Sequence, residues 1–596
     1  KQTIQQQQQQ QQRRQQRRRR QQQRNQQQQQ QQQRMIRVER NIRLPVWPVW
    51  AGVIDFFIGW IFGAEVGSKV EQYLLGGRVC PMQFPNDGTT SPFLLLVHHH
   101  HNFWKWDFIF RKISALILPE GFPAHAHRGF TTLTYFLPSD EDHSSKDHNS
   151  SSGSGSGGGG FIHRDSLGVK QKYGTKGNYL DQAQWLFTGS GMLHEEMFDF
   201  EENNQDITDW QYQSRYELYQ LWINVPSHHK LDPPKVQLLR TTSTAADTDT
   251  DNDTDTNKMH GAVTTTDDAI YDENDNGSMP TVSTSTTTVS SSPAMMATTT
   301  KCDVVVIAGT YAIYDSNSDD GSDSDVEVDV VTSQAKPLHS DLSVLHVAIT
   351  ETEATAKAMT ATTATTSSAT STRGWTYHIP NNHETLIVYV RKGSCSMVTK
   401  SSSSGSDVYD DDTTNNAVDN IYNVDSTSNS ESESEKNQSQ SQHQQQPTIV
   451  PIHSTVFIEI PNSDTNNRRN NHVNDDEDNH WNCDRLIITP LKLDEPVDVL
   501  VLSGCPLYAD NNNKSNVLEP IASQGSMVMN YPSEIETAYR DYQIGKMGIP
   551  WDYQLTDEEW KDHLQKTTPT SPTTTATMNR SSVVSSLREE QGEGNE

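Results

Sequence analysis

Short apolar runs of strand length, each bounded by turn-forming residues, dominate the chain from Val66 onward. Pro92 to Val97, Thr131 to Phe136, Tyr219 to Val225, Val304 to Gly309, Leu386 to Val390, Val456 to Ile460 and Val499 to Ser503 all read as strands. Helical period is scarce; Ser533 to Ile544 is the exception and opens with a suitable capping residue. Between the strands lie stretches rich in Ser, Thr, Asn, Asp or Gly, at 140–160, 241–300, 316–329, 350–372, 401–446 and 462–479. None carries a packing face, and closing a longer loop costs only about 0.6 kcal/mol per doubling, so surface loops tolerate such growth. Removing them leaves two strand-rich blocks, 66–240 and 301–550, each large enough for one β-barrel. The expectation is an all-β protein of two tandem barrels, with long disordered inserts (241–300 linking the barrels) and a short C-terminal helix.

The two ends read differently. Residues 1–43 are a Gln/Arg-rich arm, with Arg13, Arg14 and Arg17 to Arg20 clustered, and nothing in the first 34 can form a core. The cluster suits a nuclear signal or an anionic surface; a solvated run without specific role is the plainer reading. Residues 44–64 form the one long apolar stretch. Pro45, Pro48 and Asp55 spoil it as a span, and an interfacial or packed helix is expected, leaving membrane contact open. Residues 566–596 read as a disordered tail. The chain starts with Lys, so an upstream targeting sequence is not ruled out.

Composition supports a small folded fraction. Of 596 residues only 33% are hydrophobic, and the formal charge is -30. A chain this polar cannot bury its whole length. Much of the acidity sits in runs such as Asp247 to Asp255, Asp315 to Asp329 and Asp475 to Asp478, so it describes the filler more than a folded surface. It also argues against a nucleic-acid-binding core, and no direct nucleic-acid motif is present. Five scattered cysteines without a C-x-x-C pair make neither a disulfide framework nor a thiolate zinc site, which points to a reducing compartment.

The chemistry concentrates in two short segments. In Gly121-Phe122-Pro123-Ala124-His125-Ala126-His127-Arg128-Gly129-Phe130, the two histidines at i and i+2 of a strand share one face. In Gly189-Ser190-Gly191-Met192-Leu193-His194-Glu195-Glu196-Met197, His194 and Glu196 repeat that spacing. If the second strand faces the first across a barrel, three imidazoles and a carboxylate converge. Such a donor set, free of thiolate, suits iron, manganese, nickel, copper or zinc rather than a structural zinc knuckle.

With GFPAHAHRGF at 121–130, HRDSLG at 163–168, QWLFTGSGMLHEEM at 184–197 and YQLWIN at 219–224, the chain resembles the pirins of the cupin superfamily. SGCPL at 503–507 and GSMVMNYPSEIETAYRDYQIGKMG at 525–548 extend the resemblance into the second block. The resemblance implies two cupin-type barrels, a bicupin, and Fe2+ held by His125, His127, His194 and Glu196, with no metal in the second barrel. It implies either a quercetin 2,3-dioxygenase-like oxidoreductase acting on a flavonol, with Glu196 as proton acceptor, or a redox-sensing transcription cofactor that binds nuclear regulatory proteins. A monomer in the nucleus or cytoplasm is expected. Two departures stand out. Asp181 and Gln182 occupy a position where the family usually has a Gly-Asp turn, and Thr131 follows Arg-Gly-Phe where many members carry a carboxylate.

Other eye-catching residues carry less. His98 to His101 read as a polar loop after a strand. His163 reads as a donor behind the ligands or a turn residue, and Trp185 as core near the site. His378 and His383 read as surface or satisfied loop histidines.

Overall fold

The computed structural model describes residues 36–44, 57–63, 66–67, 76–84, 89–104, 108–114, 119–137, 160–174, 182–199, 212–243, 277–289, 297–315, 326–353, 373–400, 447–459, 485–509 and 517–567. The first strands are Ile36–Arg40 (β1), Ile42–Leu44 (β2), Gly76–Gln83 (β3), Phe93–Trp104 (β4), Gly121–His127 (β5) and Phe130–Phe136 (β6). Gly160–Asp165 (β7), Lys170–Gly174 (β8), Ala183–Phe187 (β9), Met192–Phe198 (β10), Tyr212–Asn224 (β11) and Lys235–Ser243 (β12) follow. The second half brings Gly277–Val289 (β13), Ala297–Ala308 (β14), Thr310–Asp315 (β15), Val326–Thr332 (β16), Leu342–Glu353 (β17) and Trp375–His378 (β18). Then come Thr385–Lys392 (β19), Cys395–Lys400 (β20), Thr448–Val450 (β21), Ser454–Glu459 (β22), Arg485–Pro490 (β23) and Val497–Gly504 (β24). The short strands Ala522–Gln524 (β25) and Met527–Met529 (β26) precede the C-terminal helices. The helices with side-chain bearing on the fold are Phe108–Ser114 (α1), Pro532–Gln543 (α2) and Asp557–Thr567 (α3).

One sheet runs through both halves, in the order β1-β22-β19-β24-β17-β14-β13-β12-β9-β6-β11-β4-β3-β2. Its two arms are joined where β12 pairs parallel with β13, from Leu239 against Gly277 onward. A small sheet, β5-β10-β7-β8, closes the first arm into a barrel, and β18-β23-β20-β21 closes the second. The fold is two β-barrels in tandem, as expected.

Apolar side chains sort into distinct cores. Val304, Val347, Val388, Val499, Trp375 and Ile488 belong to the interior cluster of the second barrel. A separate cluster spans the two barrels: Leu133, Trp185 and Leu221 of the first pack with Leu342, Ile387 and Leu500 of the second. Fully burying one such aliphatic side chain is worth about 1.5–3 kcal/mol, so the barrels are fused by a core and not tethered by a linker.

A polar circuit crosses this apolar contact. The Tyr135 hydroxyl meets His346 Nδ1 at 3.1 Å, and His346 Nε2 meets Asp498 Oδ2 at 3.0 Å. Arg391 bridges Asp498 at 3.3 Å and Glu217 at 3.5 Å, and Glu217 reaches His98 Nε2 at 3.0 Å. His98 Nδ1 returns to the second barrel through Tyr389 Oη at 2.8 Å. Groups this buried are tolerable because each has a partner.

Several expectations need correction. The arm drawn as 1–43 ends in strands: β1 pairs with β22 of the second barrel and β2 with β3 of the first. Ile36-Arg37-Val38-Glu39-Arg40 alternates apolar and polar residues, and two sheet edges were available to pair it. The linker drawn as 241–300 contains β13 and the start of β14, where runs of Thr, Ser and Val supply β-branched residues suited to a pleated sheet. Likewise 326–329 and 350–353, placed in inserts, lie in β16 and β17. Most of the remaining inserts and the start of the 44–64 segment lie outside the described residues. Within 57–62 that segment is a short helix with Phe57, Trp60, Ile61 and Phe62 exposed. Among the described residues no helix is long and apolar enough to cross a membrane. The C-terminal helix is two helices, and α3 reaches into what was drawn as tail.

His98 to His101 are not a loop. They lie inside β4, between β3 and β11, and alternate across the sheet. His98 faces Tyr389 and His453, whereas His99 and His101 face Phe122 and Phe198 inside the first barrel. The neighbouring strands satisfied the backbone, and the barrel had room for rings on both faces.

Candidate metal centre

The i, i+2 spacing does what strand geometry requires. β5 and β10 are neighbours in the small sheet, antiparallel, with His194 directly opposite His125 and Met192 opposite His127. The strands therefore lie side by side, not across the barrel as expected. Directly opposed residues hold their Cβ atoms about 5 Å apart, which is enough to gather rings. The ring centroids of His125, His127 and His194 form a near-equilateral triangle with sides of 4.6, 4.6 and 4.7 Å. One ring nitrogen from each lies within 4.8 Å of the others.

The electrical state of these rings suits a metal. Burial pushes the His127 and His194 imidazoles well below the ordinary histidine range, and neighbouring imidazoles push them further. His125 is lowered too, mainly by burial. Neutral imidazole is the ligand form. Both nitrogens of His127 and both of His194 are buried without a hydrogen-bond partner. Buried polar atoms left unpaired cost about 1–3 kcal/mol each, so a cluster of them signals a missing ligand. His125 Nδ1 lies 2.9 Å from the Pro123 carbonyl oxygen, to which it donates, and this leaves Nε2 as the ligating atom. These three residues fit a bound metal.

Glu196 is placed differently. It is buried but does not join the three-histidine set. Its Oε1 accepts from the Tyr173 hydroxyl at 2.7 Å and from Thr134 Oγ1 at 3.2 Å, and Oε2 accepts from Gln220 Nε2 at 3.5 Å. The register against β5 slips between His194 and Glu196, so that Glu196 opposes Phe122. The extra residue falls on the β5 side near Pro123, which has no N–H for the ladder. Glu196 is still within electrostatic reach of His125 and favours its charged form.

Glu195, on the opposite face of β10, belongs to the framework. Arg164 Nε donates to its Oε1 at 2.5 Å and Trp551 Nε1 to its Oε2 at 2.9 Å. Arg164 also donates to the carbonyls of Leu555 and Tyr553. The segment after the second barrel thus returns to cover the first: Ala126 and Leu193 pack with Met529, Ile535, Trp551 and Trp560. Gly129 lets it approach. With φ at +86°, a Cβ there would meet the Val528 carbonyl oxygen at 2.1 Å. Lys230 seals the contact, its buried ammonium donating to Gly129 O, Asn224 Oδ1 and Val528 O; burial lowers its pKa to about 7.

Of the other residues noted in the sequence, His163 is a fully buried strand residue, not a turn residue. Its ring lies 5.3 Å from that of His194, and Nε2 is 3.1 Å from Asp165 Oδ2. Trp185 is core, but in the inter-barrel cluster. Thr131 is buried in β6. His378 stacks on Tyr314, and His383 is buried and contacts Ser503 Oγ at 2.6 Å. Sequence reasoning missed Tyr173, Thr134 and Gln220 as the partners of Glu196. Gln220 lay inside the YQLWIN motif, but nothing in its spacing tied it to a carboxylate.

Comparison with known proteins bears on this site. No protein-family model matches the chain. The chain is 34% identical over 122 residues to Pirin-1 of Arabidopsis thaliana, which is 20% of this chain and 29% of that protein. The chain resembles the pirin family. A protein of Vibrio cholerae named "Putative quercetin 2,3-dioxygenase" is 32% identical over 160 residues, 27% of this chain and 39% of its own length. The chain thus matches well under two thirds of these pirin-type relatives. A crystal structure of quercetin 2,3-dioxygenase from Acinetobacter baumannii aligns over 79% of this chain and 92% of its own, at 18% identity and a TM-score of 0.35.

Proposed function

We propose that this is a pirin-like metal-binding protein with quercetin 2,3-dioxygenase-like oxidoreductase activity. The observation that carries the reading is the cluster of three imidazoles, with both nitrogens of His127 and of His194 buried and without a hydrogen-bond partner. His125, His127 and His194 would hold the metal, with Glu196 the carboxylate able to join them; Fe2+ is the proposed ion, and Mn, Ni, Cu or Zn suit the same donors. When bound, such an ion supplies Lewis-acid polarisation of an oxygen on the substrate.

The chain's own residues supply the rest. Glu196 accepts three hydrogen bonds and is the proposed acceptor of a phenolic proton. The Tyr173 hydroxyl, pushed well above the ordinary tyrosine range by burial and by Glu196, stays protonated and keeps that carboxylate oriented. His125 is the partly exposed member of the triad, so a ligand approaches from its side. Trp222 stands beside His127 at 5.5 Å between ring centroids, and its buried Nε1–H has no partner. An aromatic face with an unspent donor suits a planar, oxygen-bearing aromatic substrate, and the Vibrio relative's name points to the same class.

The test is direct. Protein stripped of metal, reloaded with Fe(II) and given quercetin should consume O2 and release carbon monoxide. Glu196→Gln should lower turnover by about 100-fold or more, the usual worth of a general base. No turnover with Fe, Mn, Ni, Cu or Zn would eliminate the activity for that substrate.

A further inference from the structure

A second group of ligand-type side chains sits between the barrels, on residues that no motif singled out. His229 and Asp232 lie in the turn after β11, on the first barrel. His339 comes from the segment between β16 and β17, on the second. One ligand atom from each of the three lies within 4.8 Å of the others. The His229 and His339 ring centroids are 4.2 Å apart, and those of His228 and His229 are also 4.2 Å apart. His229 Nδ1 is 2.7 Å from Asp232 Oδ2. His339 Nε2 is buried and has no hydrogen-bond partner.

The two sides are held in place before any ligand arrives. The His339 segment is pinned to the first barrel: Trp185 Nε1 donates to Pro337 O, Lys336 N to Gln237 Oε1, and Ser340 Oγ to Asn224 O. On the other side, Ser190 N donates to Asp232 O at 2.8 Å. Gly189, with φ at +43°, permits this approach, since a Cβ there would meet Asp232 O at 2.1 Å. The three side chains are half-buried, so an ion can enter from solvent.

We propose that His229, Asp232 and His339 form a second divalent-cation site that clips the two barrels together. Two imidazoles and a carboxylate match a borderline ion such as Zn(II), with bonds of about 2.0–2.2 Å, and water or His228 completes the coordination. On binding, Asp232 exchanges its contact with His229 for the ion, and the unpaired His339 nitrogen gains a partner. This site does not depend on occupancy of the triad.

Calorimetric titration of metal-stripped full-length protein with Zn(II) tests the proposal. Wild type should take up one equivalent more than His339→Ala, while His127→Ala should lack a different one and retain the His339-dependent one. Asp232→Asn, which preserves shape, should weaken the same equivalent at least tenfold. Zn(II) should raise the urea midpoint of His127→Ala but not of the His127→Ala/His339→Ala double variant. Equal stoichiometry and affinity in wild type and Asp232→Asn, or in wild type and folded His339→Ala, would show ring stacking alone and overturn the proposal. Because turnover with quercetin is not read in any of these titrations, failure here leaves the triad's assignment standing, and the reverse.

Discussion

The small sheets that close the two barrels occupy equivalent places and are filled in opposite ways. In the second barrel, Trp375 and Tyr377 of β18, Cys395 and Met397 of β20, and Leu486 and Ile488 of β23 are all buried in one apolar cluster. Its polar exceptions are paired: the Tyr377 hydroxyl bonds Ser503, and Trp375 Nε1 donates to Tyr311. In the first barrel, β5 and β10 present imidazoles and a carboxylate, and four ring nitrogens of His127 and His194 are left unpaired. A fold closes on strand pairing and apolar burial, so the second barrel needs nothing more. The first gives up part of that apolar burial to imidazoles, and the segment around Trp551 and Trp560 packs on Ala126 and Leu193, on the other face of the same two strands. The contrast separates apolar packing from candidate chemistry: the second barrel and the inter-barrel core are closed by apolar burial, and the first carries the candidate site.

The sharpest way to break the contrast is to remove the imidazoles. His127→Ala and His194→Ala should each abolish metal binding at the triad, read by metal analysis, while circular dichroism still reports a folded β protein. Unchanged metal content in both would refute the ligand assignment. Next in size is Ile488→Ala, which should cost about 2–5 kcal/mol in urea unfolding as a buried cavity mutation, with metal content unchanged. A loss of metal at constant stability would invert the division of labour. A matched pair sharpens it further. Tyr173→Phe removes a hydrogen bond to a buried carboxylate and should cost about 1.5–3 kcal/mol, whereas Tyr377→Phe removes a neutral one worth about 0.5–1.5 kcal/mol. Equal costs would mean that Glu196 is not held as a charged acceptor.

The smallest effect lies at the seam between barrels. Burial would raise the Glu217 carboxyl, but Arg391 and His98 outweigh it and hold it well below the usual carboxylate value of 4.5. Asp498 is lowered in the same way, with His346 and Arg391 overcoming its burial. A carboxylate with a depressed folded-state pKa stabilises the fold above its unfolded-state value, and that stability is lost as pH falls through the folded value. Urea midpoints should therefore hold steady near neutrality and fall below about pH 4.5. The fall should be shallower, from a lower neutral starting point, in Glu217→Gln. Identical acid profiles would remove the circuit from the account of how the barrels are joined.

Much of the architecture was legible because short apolar runs bounded by turn-forming residues mark strands. The runs in β6, β11, β19 and β24 and the breaks between them were enough to set out two barrels. The same signal was misread where composition masked it. Thr and Ser made β13 look like linker, and Gln and Arg upstream made β1 look like arm. His98 to His101 looked like loop because four polar residues in a row have no visible alternation. Only a sheet with ring-sized space on both faces makes strand residues of them.

The sequence by itself marked His125 with His127, and His194 with Glu196, as side chains that could share a strand face, since residues at i and i+2 of a strand point the same way. Tertiary structure alone decided that β5 and β10 are neighbours, that Tyr173, Thr134 and Gln220 hold Glu196, and that His339 meets His229 and Asp232. Those meetings depend on contacts between residues far apart in the chain. Local spacing encodes the face on which a residue stands, and only the closed barrels choose what stands opposite it.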